Sequence, residues 1–159
     1  MSTQKVRDYF RSINVDPEII EFDVSSATVA LAAKAVGVEE ARIAKSLSLK
    51  KDDEHFLVLV TAGDVKIDNR KFKDTFHRKA HMLSADEVAE HIGYTVGGVC
   101  SFDLPEGVET YLDESLKRFD IVYPAAGGSN NAVKLTPEEL EKYSSNFAGW
   151  VDVTKLKSE

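Results

Sequence analysis

Apolar residues recur three and four apart at the start of the chain, at Val6, Tyr9, Phe10 and Ile13, which predicts an amphipathic helix. "EIIEFDV" then reads as a short strand, and "SSATVALAAKAVG" as a helix opened by serine caps and stopped by Gly37. From Ile43 the period changes to two. Ile43, Lys45, Leu47 and Leu49 share one face of the predicted strand, and Ala44, Ser46, Ser48 and Lys50 the other. After a "KDDE" turn, "HFLVLVTAGD" is apolar on both faces, as a central strand is. Asp68 to Phe76 reads as a helix, and Ser84 with Glu87 forms a capping-box pattern opening "SADEVAEHIG", which Gly93 stops. Strand "GVETYL", short helix "DESLKRF", strand "DIVYPA", a glycine turn, strand "NAVKL" and helix "TPEELEKYS" follow, the last with Thr136 as cap and Pro137 in the first turn. Short strands outnumber crossover helices. The predicted class is therefore mixed α+β, a partly antiparallel sheet or barrel with helices around it, rather than a doubly wound α/β fold.

This pattern sets a lysine on an apolar face. An ammonium buried without a partner is costly, so Lys45 is expected to pair with a carboxylate, to extend its head to solvent, or to line a polar cavity that binds something. Composition supplies the setting. With 159 residues, 43% of them hydrophobic and 30% charged, and no repeat or linker, residues 1–159 read as one domain. Neither an apolar run of about 18 residues nor a signal-like leader is evident, and Cys100 is the single cysteine, so a reducing, cytoplasmic setting with no membrane association is expected.

A net charge of -7 argues against general nucleic-acid binding, DNA included. The charge is uneven, however: residues 1–79 carry 14 basic and 13 acidic side chains, residues 80–159 carry 6 and 14. Within "VKIDNRKFKDTFHRKAH", Lys66, Arg70, Lys71, Lys73, Arg78 and Lys79 face only Asp68 and Asp74. Such a patch reads either as a solvated helix face or as a local phosphate contact.

Two loops can carry chemistry, "YTVGGVCSF" with Gly97 and Gly98, and "YPAAGGSNNAVKL" with Gly127, Gly128, Ser129, Asn130 and Asn131. Glycines let backbone amides approach a ligand, and they are equally the residues of plain tight turns. Neither loop fits a phosphate-loop or dinucleotide fingerprint. His77 and His81, four apart on one predicted helical face, lack the glutamate and third ligand of a zinc site, and Cys100 has no recognisable nucleophile motif. Tyr111, Tyr123 and Trp150 read as core or half-buried strand residues.

The succession "TVALAAKAVGV", "RIAKSL", "FLVLVTAGD", "GYTVGGVCSF", "YLDESL" and "AAGGSNNAVKLTPEEL" resembles the YbaK/ProX family of free-standing aminoacyl-tRNA deacylases, related to the editing domain of bacterial prolyl-tRNA synthetases. The most specific element is Ala44-Lys45-Ser46 followed at the right distance by the glycine loop. The resemblance implies a mixed sheet closed into a barrel-like core with helices outside. It also implies ester hydrolysis on mischarged tRNA without metal or cofactor. By position Lys45 matches the family's essential lysine, with Gly97 and Gly98 supplying amides near the ester carbonyl. Ser46, Phe102, Gly127, Gly128 and Ser129 fall to the substrate pocket. The partners implied are the acceptor end of a mischarged tRNA and an aminoacyl-tRNA synthetase; the charge pattern, for its part, offers Lys66, Arg70, Lys71 and Lys73 to the tRNA phosphates. Many relatives have proline where this chain has Ser101, which leaves loop shape open. A trans-editing deacylase, a non-catalytic module binding tRNA ends or a synthetase, and an unrelated small-molecule hydrolase are the readings that stand at this point.

Overall fold

The alternation beginning at Ile43 produces strand β2 (Ile43–Lys50), which pairs antiparallel with β3 (Phe56–Ala62) so that Lys45 lies opposite Thr61 and Leu49 opposite Leu57. In this computed structural model, which describes residues 2–26 and 28–158, the intervening turn is held by Asp52, whose Oδ1 accepts from the Glu54 and His55 amides at 2.8 Å. The apolar β3 is the centre of a five-stranded sheet. β6 (Tyr123–Pro124) lies beside β2, while β5 (Glu109–Asp113) and then β8 (Phe147–Val151) lie on the other side. All neighbours except β2 and β3 run parallel. Two antiparallel ribbons flank the sheet, β1 (Glu18–Glu21) with β7 (Asn131–Lys134) and β4 (Val65–Ile67) with β9 (Thr154–Leu156). A bridge between Val122 and Leu135 ties the first ribbon to β6, and the sheet curls into a half-barrel.

Both faces of β3 are covered, which is why its sequence does not alternate. Val58, Val60 and Ala62 face the larger core with Ala44, Phe102, Leu112 and Leu140. Leu57 and Leu59 face a second core with Leu49, Phe72 and Val153. Helix α1 (Ser2–Ser12) packs Val6 and Phe10, both essentially solvent-free, into the first. Helix α2 (Val29–Val36) buries Ala32 and Ala33 against Ile43 in a third cluster. Tyr111, Tyr123 and Trp150 are partly buried strand residues.

Local signals end the helices where the sequence places them, with two corrections. The α2 cap is Thr28, whose hydroxyl accepts from the Leu31 amide at 3.2 Å; the serines are not its caps, and Gly37 closes the helix at φ 86°. Helix α3 (Asn69–Phe76), capped by Asp68, stops at His77 in a left-handed conformation, so His77 and His81 do not share a helical face. Ser84 and Glu87 form the expected capping box on α4 (Ala85–Glu87), which widens into a π-turn over Val88–Ile92 before Gly93. Helix α5 (Pro137–Tyr143) carries the Thr136–Glu139 capping box. Strands β4, β8 and β9 have no counterpart in the sequence reading. Two are three residues long, and β8 pairs in parallel with a partner whose register shifts between Thr110 and Tyr111.

Candidate active site

Strand β2 is incompletely covered along one edge. Ile43 and Ala44 pair with β6, and near the far end the Ser48 carbonyl accepts from the Leu83 amide while the Lys50 amide donates to the His81 carbonyl, each at 3.0 Å. The even-numbered residues therefore turn their backbone groups outward, and between Ala44 and Ser48 this edge has no strand partner among the described residues. A cavity of ≈ 340 Å³ opens there, in the size range of small-molecule sites. Its walls are Val29 and Ala32 of α2, the segment from Lys45 to Ser48, Leu83 and Val88, Gly97 and Val99 of the first glycine loop, and Ala125, Asn131 and Ala132 of the second. Met82 and Val96, 52% and 66% exposed, give the mouth an apolar rim.

Lys45 lines this cavity from a half-buried position. Its Nζ donates to the Val65 carbonyl on β4, a neutral partner rather than the carboxylate that is one of the alternatives the pattern leaves open. Burial pulls its pKa below the ordinary lysine value, the charge of Lys157 adds to this, and Asp64 opposes it. Asp64 is itself held by Arg118, at 2.6 and 3.1 Å. The ammonium thus has no ion pair of its own among the described residues.

The first glycine loop divides its two glycines by role. Gly97 lines the cavity at φ 96°, a left-handed conformation suited to glycine, and its amide makes no hydrogen bond among the described residues. The Gly98 amide donates to the Thr95 carbonyl at 3.0 Å and is committed to the turn. Gly98 serves close approach instead, since a Cβ there would lie 2.9 Å from the Gly127 carbonyl oxygen of the second loop. Ser101 is fully buried, with its hydroxyl 2.8 Å from that of Ser144 and its carbonyl accepting from the Ser145 amide at 2.8 Å. Hydrogen bonds to the end of α5 thus hold the loop. Phe102 belongs to the core, packed edge-on against Phe10 at 4.8 Å, and is not in the cavity wall. Buried Cys100 has its thiol pushed up to about 11, chiefly by burial, which leaves it protonated and inert near neutral pH.

Asn131 organises the second loop. Its Oδ1 accepts from the amides of Ala126 at 2.9 Å and Gly128 at 3.3 Å, while its Nδ2 donates to the Thr3 hydroxyl. Gly127 and Gly128 lie behind the lining, and Ser129 is exposed outside it, its carbonyl accepting from the Ser26 amide and hydroxyl. Asn131 belongs to the second candidate loop of the sequence, whereas Ser48, Thr28, Leu83 and Val88 are lining residues that sequence reasoning passes over, because an isolated strand serine, a helix cap and scattered apolar residues carry no motif.

The basic residues lie on the opposite face of the sheet from the main core. Lys66 is exposed on β4, and α3 presents Arg70, Lys71 and Lys73 outside the buried Phe72. Lys71 is engaged internally, its Nζ 3.0 Å from both Asp152 and the Thr154 carbonyl. Lys155, directly opposite Lys66 in the ribbon, extends the patch in a way only the fold reveals. Among the described residues no group of histidine, cysteine and carboxylate side chains is arranged to hold a metal ion, and no helix is long and apolar enough to cross a membrane.

The fold is thus a half-barrel with a small cavity at an open strand edge, flanked by a lysine and two glycine loops. Residues 24–143 match the aminoacyl-tRNA editing domain family, and the chain belongs to that family. It is 48% identical over 155 residues to YwhH of Bacillus subtilis (strain 168), an uncharacterised protein, with 98% of each chain covered. It is 27% identical over 109 residues, 68% of this chain and 66% of the other, to EbsC of Enterococcus faecalis (strain ATCC 700802 / V583), a candidate Cys-tRNA(Pro)/Cys-tRNA(Cys) deacylase. A solved structure of a candidate trans-editing enzyme for prolyl-tRNA synthetase superposes with a TM-score of 0.87 at 25% identity, covering 97% of both chains.

Proposed function

We propose that this protein is a trans-editing aminoacyl-tRNA deacylase that hydrolyses the ester joining a small, wrongly attached amino acid to the end of tRNA. The observation that carries the reading is Lys45, a residue of the cavity wall whose ammonium is held by a carbonyl and forms no ion pair among the described residues. Family membership and the likeness to a candidate trans-editing enzyme support it. An aminoacyl ester is already activated. Water adds to the carbonyl carbon, the bond to the ribose oxygen breaks, and that oxygen leaves with a proton. The protein's part is to position the ester and to stabilise the oxygen that becomes negative, and one preorganised donor is typically worth about 2.7–4 kcal/mol of barrier. Lys45 anchors substrate oxygens electrostatically, and Gly97 contributes an amide that makes no hydrogen bond among the described residues. The apolar rim of Met82 and Val96 suits the face of the terminal base, and the exposed basic residues suit acceptor-stem phosphates.

The test is a deacylation panel on tRNAs charged with alanine, serine, threonine or cysteine, each with and without a chelator. Hydrolysis of at least one ester above the buffer rate, insensitive to the chelator, is expected. Binding of tRNA with no ester turned over would replace the enzyme by a binding module.

A further inference from the structure

The cavity wall contains two hydroxyls with nothing to bond. Ser46 and Ser48 project from the same face of β2, two positions and about 7 Å apart. The Oγ of each is closed off from solvent and has no hydrogen-bond partner among the described residues, and Ser48 as a whole is 4% exposed. A buried hydroxyl without a partner costs free energy, and Ala44 on the same face shows that the strand accepts an apolar residue there.

The other small polar side chains of the lining are already engaged. Ser26 bonds the Ser129 carbonyl, Thr28 caps α2, Asn131 holds the second glycine loop, and Lys45 bonds the Val65 carbonyl. What surrounds the two serines in the lining is apolar, including Leu83, Val88, Val99 and Ala132. Unused hydrogen-bonding capacity therefore concentrates at the unpaired edge of β2. A serine hydroxyl passes between staggered rotamers without disturbing its strand, so an occupant of that edge can draw either oxygen into a bond.

We propose that Ser46 and Ser48 make the cavity selective for an acyl group bearing a small hydroxyl side chain, as in seryl or threonyl esters, over the apolar alanyl ester. The inference rests on the deacylase reading for the identity of the occupant. An occupant with a hydroxyl offers both a donor and an acceptor. An alanyl side chain offers neither and leaves both serines without a partner among the described residues. Sites built to bond a substrate hydroxyl reject the analogue lacking it for this reason.

The experiment compares seryl and alanyl esters of one tRNA in single-turnover hydrolysis, alongside calorimetric binding of the non-hydrolysable seryl- and alanyl-amide analogues of adenosine. Wild-type protein, Ser46→Ala, Ser48→Ala and the double variant are measured, with thermal unfolding of each. Wild-type protein should favour the seryl form on the order of 10-fold or more in both assays. The double variant should lose most of that ratio at an equal or higher unfolding temperature. Equal wild-type handling of the two forms, or a ratio intact in the double variant, overturns the proposal; the wild-type ratio decides even if a variant does not fold. Seryl-selective amide binding without ester hydrolysis would sink the deacylase reading and leave the selection standing. Hydrolysis of both esters at equal rates would do the reverse.

Discussion

Lys45 carries its charge at a strand position that alternation assigns to an aliphatic side chain, and its half-burial makes the charge a cost to folding. Lys45→Met keeps the stem and removes the cost, so this variant should fold with unchanged or raised thermal stability. Single-turnover deacylation should fall about 100-fold or more if the ammonium meets charge developing in the transition state. Lys45→Arg should rescue little, because a planar guanidinium does not occupy the place of a compact ammonium. The pH dependence follows from the lowered pKa. Between that value and the unfolded lysine's 10.5, the unfolded chain binds more protons, so the stability of wild-type protein rises with pH through this window. Below the folded pKa the whole penalty is present. Unfolding temperatures of wild type and Lys45→Met should accordingly converge as pH rises toward 10.5. A difference that stays constant with pH would mean that burial does not shift this lysine.

The elements around Lys45 are joined by loop contacts rather than by long helices. One of these sets Gly98 against the Gly127 carbonyl, backbone on backbone, so neither side yields cheaply to a side chain. Gly98→Ala should push the two glycine loops apart and lower kcat/KM at least about tenfold, by the sensitivity of catalysis to small displacements. Gly107→Ala is the control. It has φ 91° and open space around it, so it should cost about 1 kcal/mol in stability and leave kcat/KM unchanged. Parallel losses of activity and stability in both variants would reduce Gly98 to an ordinary turn residue. Local signals such as the Ser84–Glu87 and Thr136–Glu139 boxes were legible because cap and partner lie three residues apart. The commitment of the Gly98 amide, the burial of Phe102 and the exposure of Ser129 were not legible, since each depends on contacts made only when distant segments meet.

At the scale of the molecule, the acidic chain gathers on one side cations that make no ion pair among the described residues. Lys66 and Lys155 stand directly opposite each other across β4 and β9, an arrangement that repels in the absence of an anion. Together with Arg70 and Lys73 they form a surface suited to a few phosphates, whereas Lys71 is tied to Asp152. The triple variant Lys66→Ala, Arg70→Ala, Lys73→Ala should weaken tRNA binding. It should also flatten the slope of log affinity against log salt by roughly 0.7–0.9 for each phosphate that is no longer neutralised. Hydrolysis of a minimal aminoacyl-adenosine should be unaffected. An unchanged salt slope would return this face to simple solvation.

Periodicity and capping chemistry determined that this chain forms short strands between capped helices, that β3 is central, and that Lys45 lies on an apolar face. These properties rest on neighbours within a few residues or on the two-residue pleat. The order of residues also carried the family resemblance. Tertiary structure decided the remainder: the parallel pairing of β5 and β8, the cover supplied by β4 and β9, the carbonyl partner of Lys45, the open edge of β2, and the burial of the Ser46 and Ser48 hydroxyls with no partner among the described residues. Pairings between remote segments are selected by the burial of both sheet faces at once, and no local window of sequence contains that information.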